Sequence, residues 1–360
     1  MVATDSSGQT FKIDEDGNIT VGGLKDKGGA VTSSNVEGVS NHGQLESLTA
    51  KDILITFKEV PGQNGFDQIP SGAKADPNVQ KEYTTIKDAQ GNDYVLVHQA
   101  VESGKESYLD AVVSQTGDSP YPLDSIVFKT KQGEKIPVEL IDDNTVRLTL
   151  TGSYTFENET IYAVVPSKED RTKQLTAGAF TLWHLTDRTV NVVLVSVDGA
   201  PIPEGTENTI QNIFKKGVTT INIDRKTATL DASLLGIDGK LEIGDSPWLT
   251  AYNDEQKAVI SNLKPQIDYK SDKYYLFVFK DGFETTKSIA GFMPLQRQFG
   301  FLFNGGLNSS EEGKGSLSGV AAHEIGHGVF ALRHPFDQYG SKKESTYWLM
   351  DYKNGSLLSH

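Results

Sequence analysis

The strongest constraint on what this chain can fold into is a change of hydrophobic rhythm near residue 186. Before it, apolar residues recur in short runs separated by Gly, Asn, Asp and Pro. Residues 11–13 and 19–21 read as a hairpin around Asp16-Gly17, and residues 83–86 and 94–97 as a second one around Gly91-Asn92. Short β-type runs follow at 125–128, 135–140, 145–150 and 161–165, a spacing that suits a small sandwich. The stretch 22–50 is rich in Gly, Ser and Asn and reads as loosely ordered.

After residue 186 strands alternate with helices. Residues 190–197 form a strand candidate, and Thr206 is placed as the N-cap of a helix carrying Ile210, Ile213 and Phe214 on one face and stopped by Gly217. Residues 218–223, 274–279 and 298–303 read as further strands, and 253–263 as a helix ended by Pro265. A glycine-rich loop, 305–315, leads to a last helix starting near Ser316 or Ser318. The fold class expected is α+β: an all-β, sandwich-like part, then a mixed twisted sheet with helices. The boundaries expected are 1–58 for an N-terminal β or loosely ordered segment, 59–185 for the sandwich-like domain and 186–360 for the domain with the chemistry.

Composition excludes several functions. Asp and Glu outnumber Lys and Arg by 48 to 34, so the chain carries a net charge of -14. Nucleic acid and anionic membrane, which need clustered positive charge, are not expected partners. No apolar run approaches the ~20 residues that span a bilayer, and no signal peptide is visible. The chain has no cysteine, so a metal site must draw on His, Asp, Glu or Tyr.

The residues that carry chemistry are His323-Glu324-Ile325-Gly326-His327. On a helix, positions i and i+4 share a face, so both imidazoles can bind one ion. Zinc (Zn2+) lowers the pKa of a water to about 7, and Glu324, beside the pair, would take that water's proton and pass it to a leaving amine. Val320, Ala321, Ala322, Ile325, Val329 and Phe330 make the helix mostly apolar, a setting where paired histidines need a strong reason to be buried. His334 is the nearest third ligand, seven residues beyond His327 and followed by Pro335, with Gly328 as the residue that ends the helix early. Asp337, Glu344 and Asp351 are weaker alternatives. His42, His98 and His184 are isolated and read as structural or solvated, and His360 is terminal. Residues 14–18 resemble a calcium loop only superficially and read as a turn, because the downstream bidentate Glu is missing.

With these residues in view, the chain resembles the metzincin clan of zinc peptidases: an H-E-x-x-H helix, a third His shortly after and a later Met. The resemblance covers roughly 186–352 and implies a zincin-like catalytic domain hydrolysing protein or peptide substrates. Trp348-Leu349-Met350-Asp351-Tyr352 resembles the clan's Met-turn, which implies Met350 beneath the metal and Tyr352 near the metal or the reacting oxyanion. It further implies that the strand before the active-site helix, with Phe299, Gly300 and Phe301, is a substrate-binding edge. The clan's Gly and third ligand His would fall at Phe330 and Arg333, and the histidine here comes one residue late. Eight residues follow Tyr352 where the clan continues with a helix, which implies a trimmed or truncated lower part. More loosely, the arrangement resembles peptidase modules of large secreted or toxin-like bacterial proteins, which implies an exported protein with a larger parent or a secretion apparatus as partner. Two other functions stand beside the endopeptidase: a non-catalytic binding or structural module that keeps the zinc fold, which has little reason to retain Glu324, and a hydrolase of non-peptide amides.

Overall fold

The computed structural model describes residues 2–4, 10–13, 19–22, 30–70, 73, 76–116, 120–155, 157–170, 172–244, 251–308, 315–352 and 355–358. The turn 14–18, most of the loop 305–315 and His360 lie outside these residues. The molecule is mixed α+β, mostly sheet with few helices. None of its described helices is long and apolar enough to cross a membrane.

Two sheets in the first half share one apolar layer. The first is antiparallel, in the order Val138–Asp142, Thr145–Thr151, Glu106–Gln115, Ile53–Glu59. The second runs Val127–Lys129, Asn158–Pro166, Gln174–Leu185, His98–Glu102, Phe66–Asp67, with Val36–Glu37 added beside Gln174–Leu185. Alternation puts Ile55, Leu109 and Leu148 of one sheet against Phe128, Ile161 and Phe180 of the other. Separately, Val2–Thr4, Thr10–Ile13 and Ile19–Gly22 form a three-stranded sheet.

Two expectations change here. The boundary at 58/59 falls inside Ile53–Glu59, which pairs along its length with Glu106–Gln115. The stretch 30–50 is also built in, because Val31, Val36 and Val39 are buried against Tyr162 and Val164. Spaced valines tie down a segment whose composition alone reads as loose.

The second half is built on a five-stranded sheet in the order Thr219–Ala228, Arg188–Val197, Lys273–Phe279, Phe299–Phe303, Gly291–Phe292. The first three pairings are parallel and the last is antiparallel. Helices Thr206–Lys215 and Leu317–Phe330 cover one face through Ile210, Phe214, Ala321 and Ile325. Helix Asp254–Leu263 covers the other through Val259 and Leu263. Cover on both faces explains the continuous apolar runs of the central strands. Thr206 is the first helical residue and not the cap; Gly205, at φ +81, takes the N-cap position, and the Thr206 hydroxyl donates to the carbonyl of Pro203.

The expected substrate edge moves for the same reason. Phe299, Gly300 and Phe301 belong to a strand paired on both sides and wholly buried. An all-apolar strand of this kind is stable inside a sheet, whereas an edge leaves backbone groups open. The antiparallel edge is Gly291–Phe292.

Candidate metal centre

Helix Leu317–Phe330 starts at Ser316, whose hydroxyl accepts the N–H of Gly319 at 3.2 Å. Its apolar side, Ala321, Ala322, Ile325 and Val329, packs on the sheet, leaving His323 and His327 half-buried at the cleft with ring centroids 4.8 Å apart. Two glycines permit close approach. A Cβ on Gly326 would meet Met350 Sδ at 2.6 Å, and one on Gly328 would meet Met293 Sδ at 2.3 Å. Gly328 therefore accommodates Met293 and does not end the helix.

The helix ends at Ala331, a left-handed residue at φ 57 and ψ 25. Its N–H donates to the carbonyl of His327 at 3.1 Å, and that of Leu332 to Gly326 at 3.0 Å. The turn residue Ala331 stands three before His334 and turns the chain back towards the two helical histidines.

The structure brings His323, His327 and His334 together as a group able to hold a metal ion. His334 Nε2 lies 3.2 Å from Nε2 of His323 and 3.2 Å from Nε2 of His327. The far nitrogens are anchored. His323 Nδ1 donates to the carbonyl of Leu349 at 2.9 Å and His327 Nδ1 to that of Leu332 at 2.7 Å. His334 Nδ1 faces the Asp337 carboxylate at 3.1 Å. A carbonyl only accepts, so His323 and His327 carry their protons on Nδ1 and aim bare Nε2 lone pairs at one point. Burial, then neighbouring His334, pushes the His323 pKa down to about 4. Burial, then His323 and His334, holds His327 well below its ordinary value. Two neutral imidazoles thus crowd a third with no proton of their own to offer, a donor set that one cation satisfies. Tetrahedral bonds of about 2.0–2.1 Å place ligand nitrogens about 3.3 Å apart; both separations from His334 match that value, and all three ligand atoms lie within 4.8 Å of one another, a set that zinc can draw together.

Glu324 is buried beside the triad. A Cβ on Gly291 would fall 2.7 Å from Glu324 Oε1, so the carboxylate lies against the backbone of the edge strand. Met350 is buried against Gly326, between the helical histidines in sequence, and Leu349 supplies the carbonyl that anchors His323. Tyr352 flanks the site, its ring 5.0 Å from His334 and 6.1 Å from His323. The alternative ligands have other places. Asp337 stands behind His334, and Glu344 is exposed. Asp351 accepts from the backbone N–H groups of Glu344, Thr346 and Tyr352 and from the Thr346 hydroxyl, which closes the turn. His184 is bound to the Ser153 N–H and Glu159, and His98 accepts from Trp183, both away from the cleft. The cleft holds about 320 Å³ and is lined by Ile289, Gly291, Val320, the triad, Phe336 and Tyr352 among others.

Neither a protein-family model nor a curated protein sequence matches the chain. Among solved structures it is similar to metalloproteinase-II from Bacteroides fragilis, at 10% identity over 75% of this chain and 86% of that one, with a TM-score of 0.26. Dex49A from Penicillium minioluteum gives 10% identity over 71% of this chain and 45% of that one, with a TM-score of 0.19. Both likenesses are too weak to carry an argument about function.

Sequence reasoning missed Gly291, Met293 and the Ala331 turn, and weighed Asp337 as a ligand where the structure sets it against His334 Nδ1. A lone glycine in an apolar run signals close backbone approach, and Gly291 carried that signal. The carbonyls of Leu332 and Leu349 carried none, since every residue has one.

Proposed function

We propose that this chain is a zinc-dependent endopeptidase, on the strength of one observation: three imidazole nitrogens converge beside a buried carboxylate in an open cleft. His323, His327 and His334 would hold the metal. When bound, zinc supplies Lewis acidity and makes hydroxide available near neutral pH. Glu324, pressed against Gly291, accepts the proton of the attacking water and delivers it to the leaving nitrogen. The Tyr352 hydroxyl donates to the developing oxyanion. An extended substrate segment adds along the Gly291–Phe292 edge, which places its scissile carbonyl between Glu324 and the triad. The expected behaviour is cleavage of a denatured generic protein that a chelator stops and zinc restores. Glu324→Gln should lower turnover by about 10²–10⁴-fold while zinc stays bound. A Glu324→Gln variant as active as the parent contradicts the assignment.

A further inference from the structure

Among the described residues, the first half of the chain touches the metal-site loop around Asn78 and Trp348. A short helix, Pro77–Gln80, is capped by the Asp76 side chain, which accepts the N–H of Asn78 at 2.9 Å. From this helix Asn78 Nδ2 donates to the carbonyl of Tyr339 at 2.6 Å, across 261 residues of sequence. Below it, Ala73, Val79 and Tyr83 bury themselves with Trp348, at relative exposures of 1%, 0%, 3% and 7%. Ile69, Val95 and Tyr339 pack around this cluster.

Both ends of the contact are tied to structures that matter. On one side, Tyr83 donates to the Asp67 carboxylate at 3.0 Å and packs edge-on against His98, which accepts from Trp183. The contact is thereby fixed to the second sheet of the first half. On the other side, Tyr339 follows the helix Pro335–Gln338 that His334 caps, and its N–H donates to the carbonyl of Pro335 at 2.8 Å. Trp348 precedes Leu349, whose carbonyl orients His323, and Met350, which packs on Gly326. The two contact points therefore bracket the connection between the third histidine and the turn under the helix. That connection crosses an irregular, largely exposed stretch, 340–345, that brings little apolar surface of its own.

We propose that the helix Pro77–Gln80, with Ala73 and Tyr83, acts as an intramolecular clamp on the 335–348 loop, which makes the first half of the chain a positioning part of the metal centre. Every described residue lining the cleft comes from 243–355, so this half works from behind the site. The clamp acts by restricting the loop: with Tyr339 and Trp348 held, His334 and the Leu349 carbonyl keep their places relative to His323 and His327. For its zinc readout the proposal rests on the function proposed above; its mobility readout does not.

The test uses the full chain with Val79→Asp, which puts a charge in the cluster, and Asn78→Ala, which removes one exposed hydrogen bond. Amide hydrogen exchange is read over 335–352, and zinc affinity by competition with a chromophoric chelator. The clamp predicts about tenfold faster exchange over 335–352 in Val79→Asp and about tenfold weaker zinc binding, with strand Arg188–Val197 unchanged. Asn78→Ala should move both readouts the same way by a few-fold. If Val79→Asp also loses protection in Ile53–Glu59, the first half has unfolded and Asn78→Ala decides. Exchange over 335–352 unchanged in Asn78→Ala, or in a Val79→Asp chain whose first half stays folded, overturns the clamp. If the parent chain takes up no zinc, the proposed function falls and exchange alone judges the clamp.

Discussion

The helix Leu317–Phe330 and the loop that follows it bring imidazole nitrogens to the same place by opposite means. The helix fixes His323 and His327 through its own repeat, and a capping serine and a buried apolar face hold it in place. The loop fixes His334 through a left-handed alanine, an aspartate behind the ring and packing from a distant part of the chain. The helical half is local and rigid. The loop half is tertiary, so substitutions there should change metal affinity in graded steps.

The largest graded effect belongs to His334 itself. His334→Ala should leave two imidazoles and weaken zinc binding by several orders of magnitude, with the sheets intact by circular dichroism. Unchanged affinity would mean that the loop contributes no ligand.

Gly291→Ala separates affinity from chemistry. The added methyl, 2.7 Å from Glu324 Oε1 and 2.8 Å from Val320 Cγ1, should push the carboxylate aside. Turnover should fall by about 10²-fold while zinc affinity stays as in the parent. Equal losses in both would place Glu324 among the groups that hold the metal.

Asp337→Ala removes the partner of His334 Nδ1 and should weaken zinc about tenfold, the smaller end of what an orienting carboxylate supplies. Asp337 is exposed, so folding should not change. If affinity stays at the parent value, His334 is oriented by packing against Phe336 and Tyr352 alone.

The smallest effect is on stability. Ala331 adopts φ 57, which costs a residue with a Cβ about 1 kcal/mol or more. Ala331→Gly should raise the unfolding free energy by about 0.5–1 kcal/mol without altering turnover. A loss of stability would show that the turn tolerates alanine at no cost.

The same contrast explains what the sequence disclosed. The helical pair was legible because i and i+4 fix a shared face whatever surrounds them. The strand Lys273–Phe279 was legible because a buried parallel strand is a continuous apolar run. Phe299–Phe303 is an equally continuous apolar run, but the family resemblance implied an edge there, and the structure pairs it on both sides. Gly291–Phe292 is too short to show any period. Gly328 reads as a helix end by propensity, yet it is buried under Met293, and the helix ends three residues later at a residue type that favours helix. Which loop carbonyls orient the histidines, and that Asn78, Val79 and Tyr83 meet Tyr339 and Trp348, are products of tertiary packing with no local trace.

The most direct test of the central claim is zinc titration of the metal-free chain, with X-ray absorption on the product. The account predicts uptake of about one zinc per chain, with three imidazole nitrogens at about 2.0–2.1 Å. No uptake, or a shell with two imidazoles completed by a carboxylate, would contradict it.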